Sequence, residues 1–338
     1  MNNKIYLPSG YLNIRGILSY KCTFNFIVGG RATGKTYGAL STVIDDKIMF
    51  MLMRRTQAQA DLINKPEFSP FKPVCSDRHI DITTASVSKY NAKFMLNDET
   101  IGYTCALSTI ANMRGFDASD VKLLIYDEFI PERHERPIKA EGSAFLNCYE
   151  TLNRNRELPP KCEKPLQVLC LANAFDIANP IFLELGLVGI AEKMKQNGRE
   201  LYIDRDKSIL ILLPDSKKIL DKKNETALYK LTEGSEFSKM ALKNDFIYNP
   251  TDNIKSMPLK EFRPTVTVGE ITIYKHKSKR LYYVSEHRTG NPPSFKTDEI
   301  DLKRYIKHYG MRFYRLYMQN CFRFENMLTK SLFEMYNI

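Results

Sequence analysis

The pattern of apolar and polar residues changes near residue 214 and predicts two kinds of structure. Before that point, uninterrupted apolar runs alternate with helix-compatible stretches, and the runs lie at 24–28, 48–53, 122–126 and 167–172. Continuous apolar strands separated by crossovers are typical of a parallel sheet covered on both faces. The other elements predicted here are a hairpin over 94–107, a helix over 141–156 and two short strands at 201–203 and 209–213.

Beyond residue 214 the chain is first polar, and apolar and polar residues then alternate along it. Residues 215–244 are rich in lysine, which favours a small helical linker. Alternation over 264–268, 270–275 and 281–285 predicts an antiparallel meander, and 301–336 has a helical pattern with a break near Asn320. We therefore expect three parts: an α/β domain over 1–214, a linker over 215–244 and an α+β domain over 245–338.

The composition excludes several classes of protein. A chain with 43% hydrophobic and 26% charged residues is globular, not disordered. It has no apolar run of about 18 residues that would span a membrane, and no signal peptide at its start. The seven cysteines form no C-x-x-C pair, which argues against a zinc ribbon or a disulfide framework. We expect a cytosolic protein with reduced thiols and no membrane partner.

The formal net charge of +11 is unevenly distributed. Residues 215–338 hold 23 Lys and Arg against 15 Asp and Glu, so +8 of the excess lies there. A basic excess favours a polyanionic partner. Within the predicted meander, cations interleaved with tyrosines are candidates for nucleic-acid contacts, and a solvated basic face over a tyrosine core is the alternative. These cations are Lys275, Lys277, Lys279 and Arg280.

Residues 29–36 fit the phosphate-loop pattern G-x-x-x-x-G-K-[ST], between an apolar strand and a helix-compatible stretch. Backbone N–H groups of such a loop surround phosphates at a helix N-terminus. Lys35 is expected to reach the β- and γ-phosphates, and Thr36 to ligate Mg²⁺. The pattern predicts a site for ATP and Mg²⁺, with an ordinary glycine-rich turn as the alternative. The candidate nucleotide-binding residues are Gly29, Gly30, Arg31, Ala32, Thr33, Gly34, Lys35, Thr36 and Tyr37.

A second motif, LLIYDE at 123–128, corroborates the first. Asp127 emerges at the end of an apolar strand, where it can hold the Mg²⁺ shell. Glu128 can orient and deprotonate an attacking water, which hydrolysis requires. Asn173, at the end of another apolar run, is a candidate γ-phosphate sensor, with a turn-capping residue as the alternative.

Hydrolysis also needs a cation that stabilises the transition state, often from a neighbouring subunit. Arg154 and Arg156 are candidates; two positions apart on a helix, they would face different ways. Arg31 and Arg114 are further candidates. Surface solvation is the alternative for each arginine taken alone. Arg54 and Arg55 lie at the end of the second apolar run. We expect these two arginines to divide two roles between them, structural ion pairing and coupling.

Together these motifs resemble those of the DNA-packaging ATPases of small tailed phages, the phi-29-like encapsidation proteins. The combination of GGR-x-x-GK[ST]Y with YDEF and RNRE is specific, whereas the first two motifs alone are not. The similarity runs along nearly the whole chain. The matching stretches are GGRATGKTY at 29–37, MRRT at 53–56, LIYDEFI at 124–130, LNRNRE at 152–157, CLANA at 170–174 and LLPDSK at 212–217.

The resemblance implies a RecA-like ASCE P-loop ATPase domain, a linker domain and a small C-terminal domain. It implies a homo-pentameric ring docked transiently on a procapsid portal in the host cytoplasm and driving double-stranded DNA inward. In that family a packaging RNA joins the motor. The matched positions imply a cis site of Lys35, Thr36, Asp127 and Glu128. Arg154 resembles the arginine finger in trans, and Arg114 falls where the family has a basic residue implicated between subunits.

The large terminases of other tailed phages join a similar ATPase to an RNase H-like nuclease, whose clustered carboxylates hold two metals. The predicted meander is poor in such residues, with Glu270 at a turn and Glu286 at a strand end. We therefore expect an RNase H-like domain that is a vestigial nuclease and binds nucleic acid or the portal. The alternatives are a terminase-like ATPase with an active nuclease, an ASCE helicase, and a nucleotide-dependent binding module that does not hydrolyse ATP.

Overall fold

The chain divides into two units, Met1–Leu185 with Lys193–Ile247 and Gly186–Glu192 with Tyr248–Ile338. The structure is a computed structural model that describes residues 4–113, 115–131, 135, 138, 140–160, 163–173, 177–214, 219, 226–232 and 253–337. Most of the predicted linker lies outside the described residues, so the domain limits at 214 and 244 stay predictions. None of the described helices is long and apolar enough to cross a membrane.

The first unit contains a nine-stranded sheet in the order β3-β4-β5-β2-β6-β7-β1-β9-β8. Its strands are β1 Phe24–Gly29, β2 Phe50–Arg54, β3 Ile82–Ser86, β4 Ala92–Leu96, β5 Glu99–Ala106, β6 Leu123–Asp127, β7 Gln167–Asn173, β8 Leu201–Asp204 and β9 Ile209–Leu212. The helices described up to residue 232 are α1 Ile14–Leu18, α2 Lys35–Asp45, α3 Gln57–Ile63, α4 Lys72–Arg78, α5 Glu141–Asn153, α6 Pro180–Glu184, α7 Val188–Gln196 and α8 Ala227–Leu231.

The centre of this sheet is parallel, as the uninterrupted apolar runs predict. β1 pairs in parallel with β7 and β9, β6 pairs with β2 and β7, and β2 also pairs with β5. β7 therefore lies between β1, which leads into the phosphate loop, and β6, which ends at Asp127. The carboxyl ends of all three strands meet at one edge, where ligands bind in open α/β sheets.

The edges of the sheet show where hydrophobic patterning is a weaker guide. The predicted hairpin is confirmed as β4 and β5, and the two short strands as β8 and β9. β3, which pairs with β4, was not predicted. Its sequence, Ile-Thr-Thr-Ala-Ser, is partly exposed because β3 is an edge strand, so the apolar run that marks a buried strand is missing.

α5 ends at Asn153, three residues earlier than the helical pattern predicts. Arg154 and Asn155 have left-handed backbones, with φ of 46° and 51°. Such a residue commonly terminates a helix, because the chain can no longer continue the hydrogen-bond ladder. Arg154 and Arg156 therefore both lie beyond the end of α5, and the prediction of one helix through both positions is wrong.

The second unit contains a five-stranded sheet in the order β13-β10-β11-β12-β14. Its strands are β10 Phe262–Val268, β11 Ile271–His276, β12 Tyr282–Ser285, β13 Ser294–Phe295 and β14 Phe322–Phe324. Its helical elements are α9 Glu299–Tyr305, a π-helical turn Ile306–Gly310, α10 Met311–Met318 and α11 Met327–Asn337. The predicted meander is confirmed as β10, β11 and β12, which pair antiparallel.

The predicted break near Asn320 is confirmed, since α10 ends at Met318 and Asn320 has a positive φ of 57°. The helical pattern is wrong just beyond it, where β14 pairs in parallel with β12. Phe322 and Phe324 are buried on either side of Arg323, and the Phe322 and Phe333 rings lie 4.5 Å apart between centroids. Two alternating phenylalanines are too short a period-2 signal to outweigh the helical patterns that flank them.

Candidate nucleotide-binding site

The loop between β1 and α2 has the backbone of an anion-binding turn. Ala32 and Gly34 have positive φ, 58° and 82°, and α2 begins at Lys35 immediately after them. Gly34 also lies close to Tyr11, whose Cδ1 would be 3.1 Å from a Cβ at position 34. Glycine is thus favoured there by both backbone angle and space. The helix N-terminus and the loop N–H groups favour a phosphate at this point.

The loop brings together residues that the sequence predicted separately. The Lys35 ammonium donates to the Gly30 carbonyl at 2.7 Å and to Asn173 Oδ1 at 3.3 Å. Thr36 Oγ1 lies 3.1 Å from each carboxylate oxygen of Asp127. Lys35 and Asp127 are both buried. The Thr36 hydroxyl and the Asp127 carboxylate are the oxygen donors that Mg²⁺ prefers, so these residues fit Mg²⁺ beside a bound triphosphate.

Arg54 connects the two acids that follow one another at the end of β6. Its guanidinium lies 3.1 Å from Asp127 Oδ2 and 2.7 Å from Glu128 Oε2. The Arg54 side chain is 11% exposed, whereas that of Glu128 is 60% exposed and its φ is 58°. Because β2 lies next to β6, the last residue of β2 reaches both carboxylates. Arg54 therefore holds the candidate base, Glu128, as an ion pair.

Arg55 points into a different set of acids. Its fully buried guanidinium makes two bonds to Glu141 at 2.7 and 3.0 Å, and one to Glu135 at 3.0 Å. Burial opposes the charge, but the bonds and charge of Glu141 outweigh it and raise the pKa of Arg55. Burial, with the Glu141 charge beside it, raises the pKa of the Tyr126 phenol well above its usual value. The last residue of β2 and the residue that follows it thus pair with different acids: Arg54 with the site acids, and Arg55 with Glu135 and with the first residue of α5, Glu141.

Arg154 is exposed where α5 ends. Its guanidinium donates to the Phe116 carbonyl at 2.5 Å and lies 3.8 Å from Asp117. The side chain is 43% exposed. Among the described residues its side chain contacts a carbonyl and a carboxylate 3.8 Å away, and it is exposed enough to reach another molecule, which is compatible with the predicted role in trans.

Arg156 has the opposite environment. Its side chain is buried, and the guanidinium donates to four backbone carbonyls at 2.8 to 3.3 Å. These carbonyls belong to Ala118, Val121, Leu152 and Asn153. With its donors committed inside the unit, Arg156 is a structural residue, and this position argues against the sensor or trans role expected for it. Arg114 lies outside the described residues, and Arg31 is exposed in the loop.

A cavity of about 720 Å³ adjoins the phosphate loop on the side of the N-terminal segment. The Leu12 N–H donates to the Thr33 carbonyl and fixes that segment against the loop. Tyr11 and Tyr37 line the cavity, and each is more than a third exposed. Ser41, one turn along α2 from Tyr37, is buried, and its Oγ has no hydrogen-bond partner.

The wall opposite Tyr11 is fixed by ion pairs and hydrogen bonds. The Tyr37 hydroxyl donates to Asp77 at 2.6 Å, and Arg78 pairs with Asp45 at 2.8 Å. The side chain of Tyr37 was predicted to bind nucleotide, but the N-terminal wall was not. Residues 4–15 contain no motif, so only the folded chain brings them to the loop.

The four candidate nucleic-acid contacts in the second unit are all exposed. Lys275 and Arg280 line a cleft, whereas Lys277 donates to the Lys260 carbonyl at 2.6 Å and Lys279 does not line that cleft. The interleaved tyrosines Tyr274, Tyr282 and Tyr283 are buried. Among the described residues, no group of three or more His, Cys, Asp or Glu side chains could hold a metal ion.

Comparisons with known proteins agree with the family resemblance of the motifs. The family model for the Podovirus DNA encapsidation protein (Gp16) matches residues 7–335. A DNA packaging protein of Bacillus phage B103 is 26% identical over 95% of this chain and 98% of its own length. That of Bacillus phage phi29 is 25% identical over 95% of both chains. A chain of the bacteriophage Phi-29 viral genome packaging motor assembly has a similar fold, with a TM-score of 0.66 and 22% identity over 96% of this chain and 98% of that one. The protein therefore belongs to the Podovirus DNA encapsidation protein (Gp16) family.

Proposed function

We propose that the protein hydrolyses ATP to move double-stranded DNA into a preformed procapsid. The observation that carries this proposal is the meeting of Lys35, Thr36, Asp127, Glu128 and Asn173 at the ends of three adjacent strands. Membership of an encapsidation family supports DNA as the load. Curated relatives that match nearly the whole chain are themselves named DNA packaging proteins.

Each residue of the site has a distinct task in hydrolysis. Lys35 and the loop N–H groups hold the phosphates, and Asn173, beside Lys35, senses the γ-phosphate. Thr36 and Asp127 would hold Mg²⁺, which neutralises negative charge on the phosphates. Glu128 accepts the proton of the attacking water. Arg54 sets where the Glu128 carboxylate lies, because it is the guanidinium paired with it.

The cavity beside the loop accommodates the base of the nucleotide. Exposed Tyr11 and Tyr37 rings offer stacking faces, and Asp77 and Arg78 add polar groups to the lining. Small-molecule sites commonly combine such an apolar lining with a few placed polar groups. The N-terminal segment therefore completes the ATP site.

Completion of the catalytic centre requires a second copy of the chain. We infer that Arg154, exposed at the end of α5, reaches the site of a neighbouring subunit in a homo-oligomeric ring. We propose that this ring is a pentamer and that it docks at the portal. A packaging RNA is a further proposed component, and the host cytoplasm is the proposed location. The second unit is proposed to be a vestigial RNase H-like domain that follows a helical linker.

The test is ATP-dependent protection of DNA from DNase in the presence of matched empty procapsids, measured together with phosphate release. We expect both activities in the natural chain and neither in Lys35→Ala or Glu128→Gln. Lys207→Ala removes an exposed lysine from the turn before β9 and is the matched control. Protection that persists in Lys35→Ala, or no phosphate release with DNA and procapsids present, would contradict the proposal.

A further inference from the structure

A basic cleft lies in the second unit, between the β11–β12 hairpin and α10. It has a volume of about 540 Å³. Four of its lining side chains are cations, and the others are one tyrosine, one leucine and one glutamine. The residues of this basic cleft are Lys275, Arg280, Tyr282, Arg312, Arg315, Leu316 and Gln319.

Regular secondary structure places these cations together. Lys275 on β11 is directly opposite Tyr282 on β12, and directly opposed side chains share one face of a sheet. Arg312 and Arg315 are three residues apart on α10, so they lie on one side of that helix. A strand pair and a helix thus present their cations to the same space.

Hydrogen bonds to neutral partners fix two of the guanidiniums. Arg312 donates to the Tyr282 hydroxyl at 2.9 Å, and Arg280 donates to Gln319 Oε1 at 2.5 Å. Tyr282 is itself buried, so its hydroxyl is a fixed anchor. These bonds orient the guanidiniums without neutralising them and leave other N–H groups of each fork for a ligand.

The charge of the basic cleft is not balanced locally. Among the described residues, no carboxylate lies within ion-pair distance of its four cations, and no acid lines it. On the preceding helix the situation differs, since Lys303 pairs with Glu299 at 2.9 Å and Arg304 with Asp301 at 3.4 Å. Unbalanced cations in a concavity attract an anion more strongly than the same charges on a convex surface.

We propose that the basic cleft binds phosphate groups of a nucleic-acid backbone. Guanidinium forks match phosphate oxygens in geometry and charge. The cleft has room for well over ten water molecules at about 30 Å³ each, which is more than a single phosphate occupies. This assignment retains Lys275 and Arg280 from the sequence prediction, adds Arg312 and Arg315, and leaves out Lys277 and Lys279. It does not depend on the ATP site.

The experiment measures binding of the full chain to fluorescent duplex DNA and to duplex RNA, without nucleotide or Mg²⁺, at several salt concentrations. Arg312→Gln/Arg315→Gln is compared with Lys303→Gln/Arg304→Gln, which removes the same charge from the adjacent helix. We expect the cleft variant to bind at least about tenfold more weakly at low salt. The slope of log K against log salt should become shallower by about one to two, because each phosphate contact contributes about 0.9 to its magnitude. The adjacent variant should change affinity less than about threefold.

Further measurements distinguish DNA, RNA and inorganic phosphate as the ligand and test whether each variant is folded. Preference for one duplex identifies the nucleic acid, and competition by millimolar inorganic phosphate would instead show a small-anion site and overturn the proposal. Equal losses in both double variants would also overturn it, since they would show diffuse charge attraction. Lys275→Gln must weaken binding in the same direction, and the Lys275 side chain makes no hydrogen bond within the described part of the chain. Circular dichroism confirms that each variant is folded.

Discussion

Arg154 and Arg156 occupy neighbouring positions, yet the structure predicts that their loss has opposite consequences. Alanine at position 154 removes one bond to the Phe116 carbonyl and a long ion pair to Asp117, both at the surface. Exposed pairs of this kind contribute about 0–1 kcal/mol. The Arg154→Ala protein should therefore be nearly as stable as the natural one.

Alanine at position 156 removes four hydrogen bonds to backbone carbonyls from a buried guanidinium. Two of these carbonyls lie at the end of α5, and two lie in the turn that precedes β6. At about 1 kcal/mol for each bond, and with water replacing some of them, the loss of stability is about 2–4 kcal/mol. The guanidinium also lies at the C-terminus of α5, where a positive charge is favourable.

Urea unfolding followed by far-UV circular dichroism measures this difference, and the chain has no tryptophan to serve as a fluorescent probe. Phosphate release with DNA and procapsids, alone and mixed with natural subunits, measures the catalytic effect. We expect Arg154→Ala to be stable, inactive alone and inhibitory in mixtures, whereas Arg156→Ala unfolds at lower urea. A stable Arg156→Ala protein would refute the estimate, and normal hydrolysis by Arg154→Ala assemblies would refute the finger assignment.

Three further predictions concern the interior of the first unit. Arg54→Ala should lower phosphate release in the presence of DNA and procapsids, because its ion pair no longer holds the Glu128 carboxylate in place; unchanged release would contradict that positioning role. Arg55→Met should reduce the free energy of unfolding by about 3–5 kcal/mol, because it leaves Glu141 buried and unpaired, and Arg55→Met/Glu141→Met should recover much of this loss in urea titrations. Burial raises the pKa of the Cys148 thiol to about 12. The native state therefore keeps a proton that the unfolded state loses above about pH 9, so stability should fall from there upward, and native Cys148 should resist alkylation below that pH; rapid labelling of native Cys148 at pH 8 would contradict its burial.

The centre of the site could be predicted from sequence because its chemistry depends on contiguous residues. A loop such as 29–36 must carry its glycines, lysine and threonine in fixed order to surround a phosphate. Asp127 and Glu128 must follow a buried strand to reach the same edge of the sheet. These requirements are local, so the sequence displays them even though Lys35 and Asp127 are 92 positions apart in the chain.

The surroundings of the site could not be predicted in the same way, because they depend on contacts between distant segments. Tyr11 adjoins the phosphate loop only after residues 4–15 fold against Gly34. Arg312 and Arg315 join Lys275 only because α10 packs beside the β11–β12 hairpin. Charge counting located a basic region but not the cleft, since counting cannot distinguish paired cations such as Lys303 from unpaired ones.

Arg54 and Arg55 suggest how an event at the ATP site reaches another part of the first unit. Arg54 is the last residue of β2 and Arg55 follows it; the side chain of Arg54 binds Glu128, whereas that of Arg55 binds Glu135 and Glu141. The sequence offers two alternatives for a loop of this unit that contacts DNA, residues 75–93 or residues 129–142. We propose that a change in the ion pair between Arg54 and Glu128 shifts the adjacent residue, Arg55, which is bonded to Glu135 in the second of these ranges. The residues paired with Glu128 and with Glu135 are thus adjacent in the chain, at the end of β2. If this connection couples the two, Arg55→Met/Glu141→Met should restore stability without restoring DNA-stimulated phosphate release.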